Sequence, residues 1–194
     1  MFPWFDFIIY VLSSTSTPGP NTLSSMSNGS QFGFRKTIPY LLGIWCGFTI
    51  VSAACAVLCS TLNALIPMIQ VPMRIIGACY ILYLAWKLWH SGTIDPNAKR
   101  ARCGFRDGFL FQFVNPKIYI YCILSMQTYI LPFFQGRPPI LLCFAALLAF
   151  VGFFFDIVWA AFGSLLGLLF SRYAKIMNTG FALLLAWCAF RLLL

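Results

Sequence analysis

The chain has 194 residues, 61% of them hydrophobic and only 9% charged, where soluble domains carry about 25% charge. That proportion excludes a soluble fold, which could not hide so much apolar surface. The formal net charge of +9 does not indicate nucleic acid as a partner, because the basic residues are spread over short segments between apolar runs rather than gathered on one folded domain.

The first apolar run, roughly Trp4 to Met26, is half polar, with Ser13 to Ser16 and Ser24 to Ser30 inside it, and it carries "STPGPN" at residues 16 to 21. It lacks the basic start of a secretory signal, Asp6 being its only charge, and no small-x-small cleavage site follows, so it reads as a retained span. Five further runs follow at Ile38 to Leu62, Met73 to Trp89, Gly108 to Leu131, Ile140 to Phe170 and Ile176 to Leu194. Each is near or above the ~20 residues needed to cross about 30 Å of hydrocarbon. The expected fold is therefore all-α: a polytopic membrane protein with six transmembrane helices in the lipid bilayer.

Basic residues set the expected orientation. The segments after the first, third and fifth runs, with their flanks, hold Arg35, Lys36, Lys87, Lys99, Arg100, Arg102, Arg106, Arg172 and Lys175, against Arg74, Arg137 and Arg191 on the other side. By the positive-inside rule the first side is cytoplasmic and both termini are periplasmic. Residues 91–107 then form a cytoplasmic loop.

Prolines lie outside the runs or at their ends, with three exceptions. Pro18 and Pro20 interrupt the first run and Pro116, in "FVNPKIYIY", interrupts the fourth. A proline inside a helix removes a hydrogen bond and clashes with the preceding turn. Pro20 and Pro116 stand about half a chain apart, and Leu84-Ala85-Trp86 is echoed by Leu185-Ala186-Trp187, with Arg74 matching Lys175 and Tyr80 matching Phe181 at the same offset. The chain thus reads as a single membrane domain of two three-helix repeats, 1–90 and 108–194, each opening with a broken helix. Three spans is an odd number, so the repeats are inverted, and matched breaks in inverted repeats point to a transport site near the midplane.

Asn115 followed by Pro116 reads as an N-cap and first helical position, and Pro20 with Asn21 restarts the first span in the same way. Two half-helices would then aim their positive N-termini at the membrane centre. Lys117 adds a full charge there, favouring an anion such as a carboxylate. Asp156, in "GFFFDIVWAAFG", is the only acid deep in a run, and a carboxylate among phenylalanines needs a cation or a proton. A substrate bearing both carboxylate and ammonium would satisfy Lys117 and Asp156 together, which indicates an amino acid; a salt bridge between the two residues would satisfy them equally. Asp156 is also the candidate proton carrier. Ser13, Ser16 and Thr17 by default satisfy carbonyls freed by the break.

The remaining features have plain readings. Gly43/Gly47 and Gly163/Gly167 are small-xxx-small pairs, assigned chiefly to packing within the subunit and secondarily to a homodimer face. Seven of the eight cysteines lie in apolar runs and Cys103 in the cytoplasmic loop, so disulfides are not expected. The alternative of a transmembrane thiol/disulfide electron carrier of the cytochrome-biogenesis type places cysteines beside membrane prolines. Here Thr17, Gly19, Asn21, Asn115 and Lys117 occupy those places, and thiol exchange needs an accessible thiolate. No glutamate, one histidine (His90) and no zinc or serine-nucleophile pattern argue against an enzyme.

"TPGPN", "FGFRK", "GACYILYLAWK", "FRDGFLFQFVNPK" and the C-terminal "LLLAWCAFRLLL" together resemble the LysE/RhtB family of bacterial amino-acid exporters over nearly the whole chain. Within that family the similarity is greatest to exporters of cysteine and O-acetylserine. The resemblance implies six spans in the bacterial inner membrane, no cofactor, and export of small amino acids driven by protons. It also implies that Thr17, Pro18, Gly19, Pro20, Asn21, Asn115, Pro116 and Lys117 line the substrate path.

Overall fold

The structure, a computed structural model, describes residues 2–61, 104–166 and 174–193, together with Ile75, Ala78, Cys79, Leu82, Tyr83, Ala85, Trp86, Trp89 and His90 between them. All regular structure among the described residues is helical. Most of the expected cytoplasmic loop (91–103), and with it Cys103, lies outside the described residues, as do Arg74, Tyr80 and Leu84 of the internal echo, and Arg172.

The first run is two helices, α1 (Trp4–Ser16) and α2 (Pro20–Phe32), separated by Thr17, Pro18 and Gly19. Proline at the first position of α2 costs nothing, since that N–H has no intrahelical partner in any case. The second helix runs further than the sequence indicated. Ser24 to Ser30 stay helical because their polar groups turn back on the helix: Ser24 Oγ donates to the Asn21 carbonyl, Asn28 Nδ2 to that of Ser24 and Ser30 Oγ to that of Ser27. A single glycine, Gly33 at φ +80°, then reverses the chain, a conformation open to glycine at little cost.

Helix α3 (Phe34–Thr61) follows and tolerates Pro39 in its second turn. The fourth run is broken as expected: α4 (Phe105–Phe113) ends at Val114, and α5 (Pro116–Leu124) begins after Asn115. The two segments of this span are bent by 59°. Unlike the first run, it also contains a π-helical stretch, Ser125–Ile130, leading into the short α6 (Leu131–Phe134). Helix α7 (Pro138–Leu165) and helix α8 (Ala174–Leu193) complete the described chain.

Among the described residues, α3 and α7 are each long and apolar enough to cross a membrane, and the bent α4–α6 segment makes a third such span. The main core lies between α1, α3, α5, the π-helical stretch and α7, around Phe48, Ile118, Met126, Leu148 and Ala149. A second, small cluster joins Ala78 and Ala85 to Ala182 and Ala189. These alanines are two helical turns apart on each segment, so small side chains face each other at the contact.

Gly43, Gly47 and Gly163 are used inside the chain. An added Cβ would strike the Phe105 carbonyl at Gly43, the Phe109 carbonyl at Gly47 and the Met26 carbonyl at Gly163. Gly167 lies outside the described residues.

Candidate functional site

Two interrupted helices leave carbonyls and N–H groups without partners, and at membrane depth these need protein or a wet cavity. Side chains near each break close part of its exposed backbone, and others link the two breaks. Thr22, one turn into α2, closes that helix end: its Oγ1 accepts from the Gly19 N–H at 2.7 Å and donates to the Gly19 carbonyl at 3.0 Å. Asn115 caps α5, its Oδ1 accepting from the Lys117 N–H at 3.1 Å. Thr17 turns its hydroxyl back to the Ser14 carbonyl at 2.8 Å, as Ser13 and Ser16 do to carbonyls of Tyr10 and Ser13.

Between the breaks runs a chain of buried amides. Asn115 Nδ2 donates to Asn21 Oδ1 at 2.8 Å, Asn21 Nδ2 donates to Gln112 Oε1 at 2.8 Å, and Gln112 Nε2 donates to the Gly108 carbonyl at 2.9 Å. Gln112 and Asn115 are almost fully buried. Asn21 and Asn115, expected to meet substrate, therefore also hold one break against the other.

Lys117 makes the second link. Its Nζ donates to the Thr17 carbonyl at 2.8 Å and to Thr17 Oγ1 at 3.1 Å. The ammonium thus meets the C-terminal end of α1, where the helix dipole is negative, while lying against Gly19 at the N-terminus of α2. From the sequence it was expected to reinforce two positive helix ends. The structure shows it bridging a negative one as well, because the break brings the end of α1 and the start of α2 within three residues.

A cavity of ≈ 40 Å³ opens where these groups meet, room for a few waters. From α1 come Ser14 and Thr15; Gly19, Asn21 and Thr22 come from the first break, and Phe48 from α3. The second break and α5 supply Asn115, Lys117, Ile118 and Tyr121, and α7 supplies Gly152 and Asp156. Asp156 is only 2% exposed. It and Lys117 line the same cavity. Of the expected site residues, Gly19, Asn21, Asn115, Lys117 and Asp156 line the cavity. Thr17, Pro18, Pro20 and Pro116 shape the breaks around it.

Sequence reading missed Gln112, Thr22, Tyr121 and Phe48. Gln112 carried a usable signal, since an amide in "FLFQFV" has to find a partner at membrane depth. Tyr121 is one turn beyond Lys117 and shares its helix face, a spacing visible in the sequence. Among the described residues no cysteine lines the cavity: Cys55, Cys59 and Cys122 are buried in the core with free thiols.

Residues 12–194 match the family model described as LysE type translocator. The chain is 38% identical to a cysteine/O-acetylserine efflux protein of Salmonella typhimurium over 186 residues, covering 96% of this chain and 95% of the relative. It is 35% identical over the same length to the cysteine/O-acetylserine efflux protein of Escherichia coli strain K12, with the same coverage. No solved structure matches.

Proposed function

The chain belongs to the LysE type translocator family, a transporter rather than an enzyme, and from that premise we propose that it exports small neutral amino acids across the bacterial inner membrane. Cysteine and O-acetylserine are the candidate substrates, because the relatives carry those names. One observation carries the site assignment: a lysine and an aspartate from different spans line a single cavity where two broken helices meet. Such a pair is complementary to a zwitterion, Lys117 and the helix N-termini taking the carboxylate and Asp156 the ammonium.

The wider architecture is part of the same proposal. Six spans form two inverted three-helix repeats, 1–90 and 108–194, joined by the cytoplasmic loop 91–107, with both termini in the periplasm. The matched breaks at Pro20 and Pro116 support this, as does the excess of basic residues on one side. Alternating access follows from it: the repeats rock about the cavity and expose it first inward and then outward.

Proton entry is the proposed driving force. A charge crossing the membrane is worth about 2.3 kcal/mol per 100 mV, so one proton per substrate supports a substantial gradient. Asp156 is the proposed carrier, since a carboxylate this deeply buried is satisfied by substrate ammonium or by a proton in turn.

The test compares amino acids in the medium of cells expressing the intact protein, the Lys117→Ala variant or an empty vector, by mass spectrometry at equal membrane abundance. The expected result is a rise in external O-acetylserine or cysteine with the intact protein alone. No difference among the three would remove the amino-acid assignment. For coupling, export by Asp156→Asn should lose its response to an imposed pH gradient; a full response would assign the proton to another group.

A further inference from the structure

Tyr121 is 5% exposed and lines the cavity, yet its hydroxyl is buried with no hydrogen-bond partner. A buried hydroxyl without a partner is costly and rare, and one at a ligand cavity calls for an explanation. The neighbouring polar groups of the cavity are occupied differently. Thr15 turns back to the Val11 carbonyl, Thr22 holds Gly19, and the amides of Asn21 and Asn115 bond each other.

The ring of Tyr121 is held from two sides. It stacks on Tyr10 of α1 with centroids 6.1 Å apart, and Phe48 of α3 meets it edge-on at 6.0 Å. Three elements therefore fix where the hydroxyl sits. Along α5 the Tyr121 backbone stands one turn beyond that of Lys117, about 6 Å at 1.5 Å per residue. An amino acid whose carboxylate lies at Lys117 and whose ammonium lies at Asp156 has only its side chain left to extend along that face.

We propose that the Tyr121 hydroxyl reads the substrate side chain, donating a hydrogen bond to an acceptor atom on it. The inference rests on the amino-acid export reading above. An ester carbonyl and a thiol sulfur are both acceptors, the sulfur the weaker, so one tyrosine serves O-acetylserine well and cysteine less well. An aliphatic side chain of the same size offers nothing to bond. The cavity holds only a few waters, so the hydroxyl meets its acceptor when the site widens to admit substrate.

The experiment uses the purified full-length protein in proteoliposomes and measures counterflow of O-acetylserine, cysteine and 2-aminobutyrate for wild type, Tyr121→Phe and Tyr83→Phe, the last at an exposed ring outside the cavity. In Tyr121→Phe the ratio of O-acetylserine to 2-aminobutyrate rates falls roughly fivefold to tenfold, the range of one neutral hydrogen bond. The cysteine ratio falls less, and Tyr83→Phe leaves both ratios unchanged. Thermal unfolding of substrate-free Tyr121→Phe in detergent stays at or above the wild-type temperature, because the lost hydroxyl had no partner. A lower temperature would give the hydroxyl a structural role and overturn the proposal, as would unchanged ratios with export intact. Wild-type protein that moves none of the three compounds overturns the export reading and this one together.

Discussion

Around Gly33 the helices meet backbone to backbone; around Phe2 they meet ring to ring. Near Gly33, helix α2 crosses α7 with Gly29 against the Ala160 carbonyl and Gly163 against that of Met26, and α4 crosses α3 with Gly108 against the Tyr40 carbonyl and Gly43 against that of Phe105. Both crossings place a glycine on each partner, so two backbones close on each other with no side chain between them. At the opposite end Phe2 touches Trp4, Phe7, Phe133, Phe134 and Phe144, its centroid 4.5 Å from Trp4 and 5.5 Å from Phe144. Rings repack one at a time by rotation, whereas a glycine crossing separates only as a whole. The two ends therefore hold the helices together with different stiffness, and the difference can be broken by substitution.

The largest effect is expected at the glycines. In Gly29→Ala or Gly108→Ala the new methyl meets a backbone carbonyl that cannot rotate away, so the crossing must open, at a cost of about 3 kcal/mol or more. Thermal unfolding in detergent should show this for each. Phe144→Ala removes a ring that contacts Phe2, Trp4, Phe7 and Phe134. In lipid no apolar surface is returned to water, so the loss is packing alone, about 2 kcal/mol, below the ~3–5 kcal/mol of the same change in a soluble core. If Phe144→Ala unfolded before Gly108→Ala, the ring end would be the stiffer one and the contrast would be reversed.

Between the two ends lies the amide chain, and a smaller loss is expected there. Gln112→Leu keeps the volume but leaves Asn21 Nδ2 without its acceptor, for about 1 kcal/mol, within the range of hydrogen bonds between membrane helices. The same unfolding assay would place it below both ends. A loss as large as at the glycines would mean that the amide chain, not the crossings, holds the breaks together.

What the sequence made legible follows from how local each cause is. Pro20 and Pro116 interrupt helices whatever surrounds them, and Asn115 next to Pro116 is a capping pair in any context, so both breaks were readable. Lys117 and Asp156 stood out because a charge in an apolar run needs a reason wherever it sits. Long-range causes were hidden. Gln112 showed only that it needed a partner, because the Asn21 amide from which it accepts lies 91 residues earlier in the chain. Tyr121 resembles any aromatic residue of a span, and its significance appears only when Tyr10 and Phe48 are seen to hold it. The π-helical turn at Ser125–Ile130 has no signature in the residues that form it.

The smallest change in stability should accompany one of the largest changes in transport, at Gly19. Its backbone is extended, φ −160° and ψ −178°, a conformation alanine adopts freely, so no backbone strain arises. An added Cβ would lie 2.7 Å from both Cδ and Nζ of Lys117, and a flexible lysine end can yield where a carbonyl cannot. Gly19→Ala should therefore cost under about 0.5 kcal/mol, because the displaced ammonium exchanges its exposed bonds to Thr17 for bonds to water, while export should fall toward the level of Lys117→Ala. Unfolding temperature and export measured on the same preparation separate the two effects. Export at the wild-type level with an unchanged unfolding temperature would mean that the lysine acts from wherever its tip lands, and the link from Thr17 to Lys117 would then belong to the architecture of the break and not to the transport site.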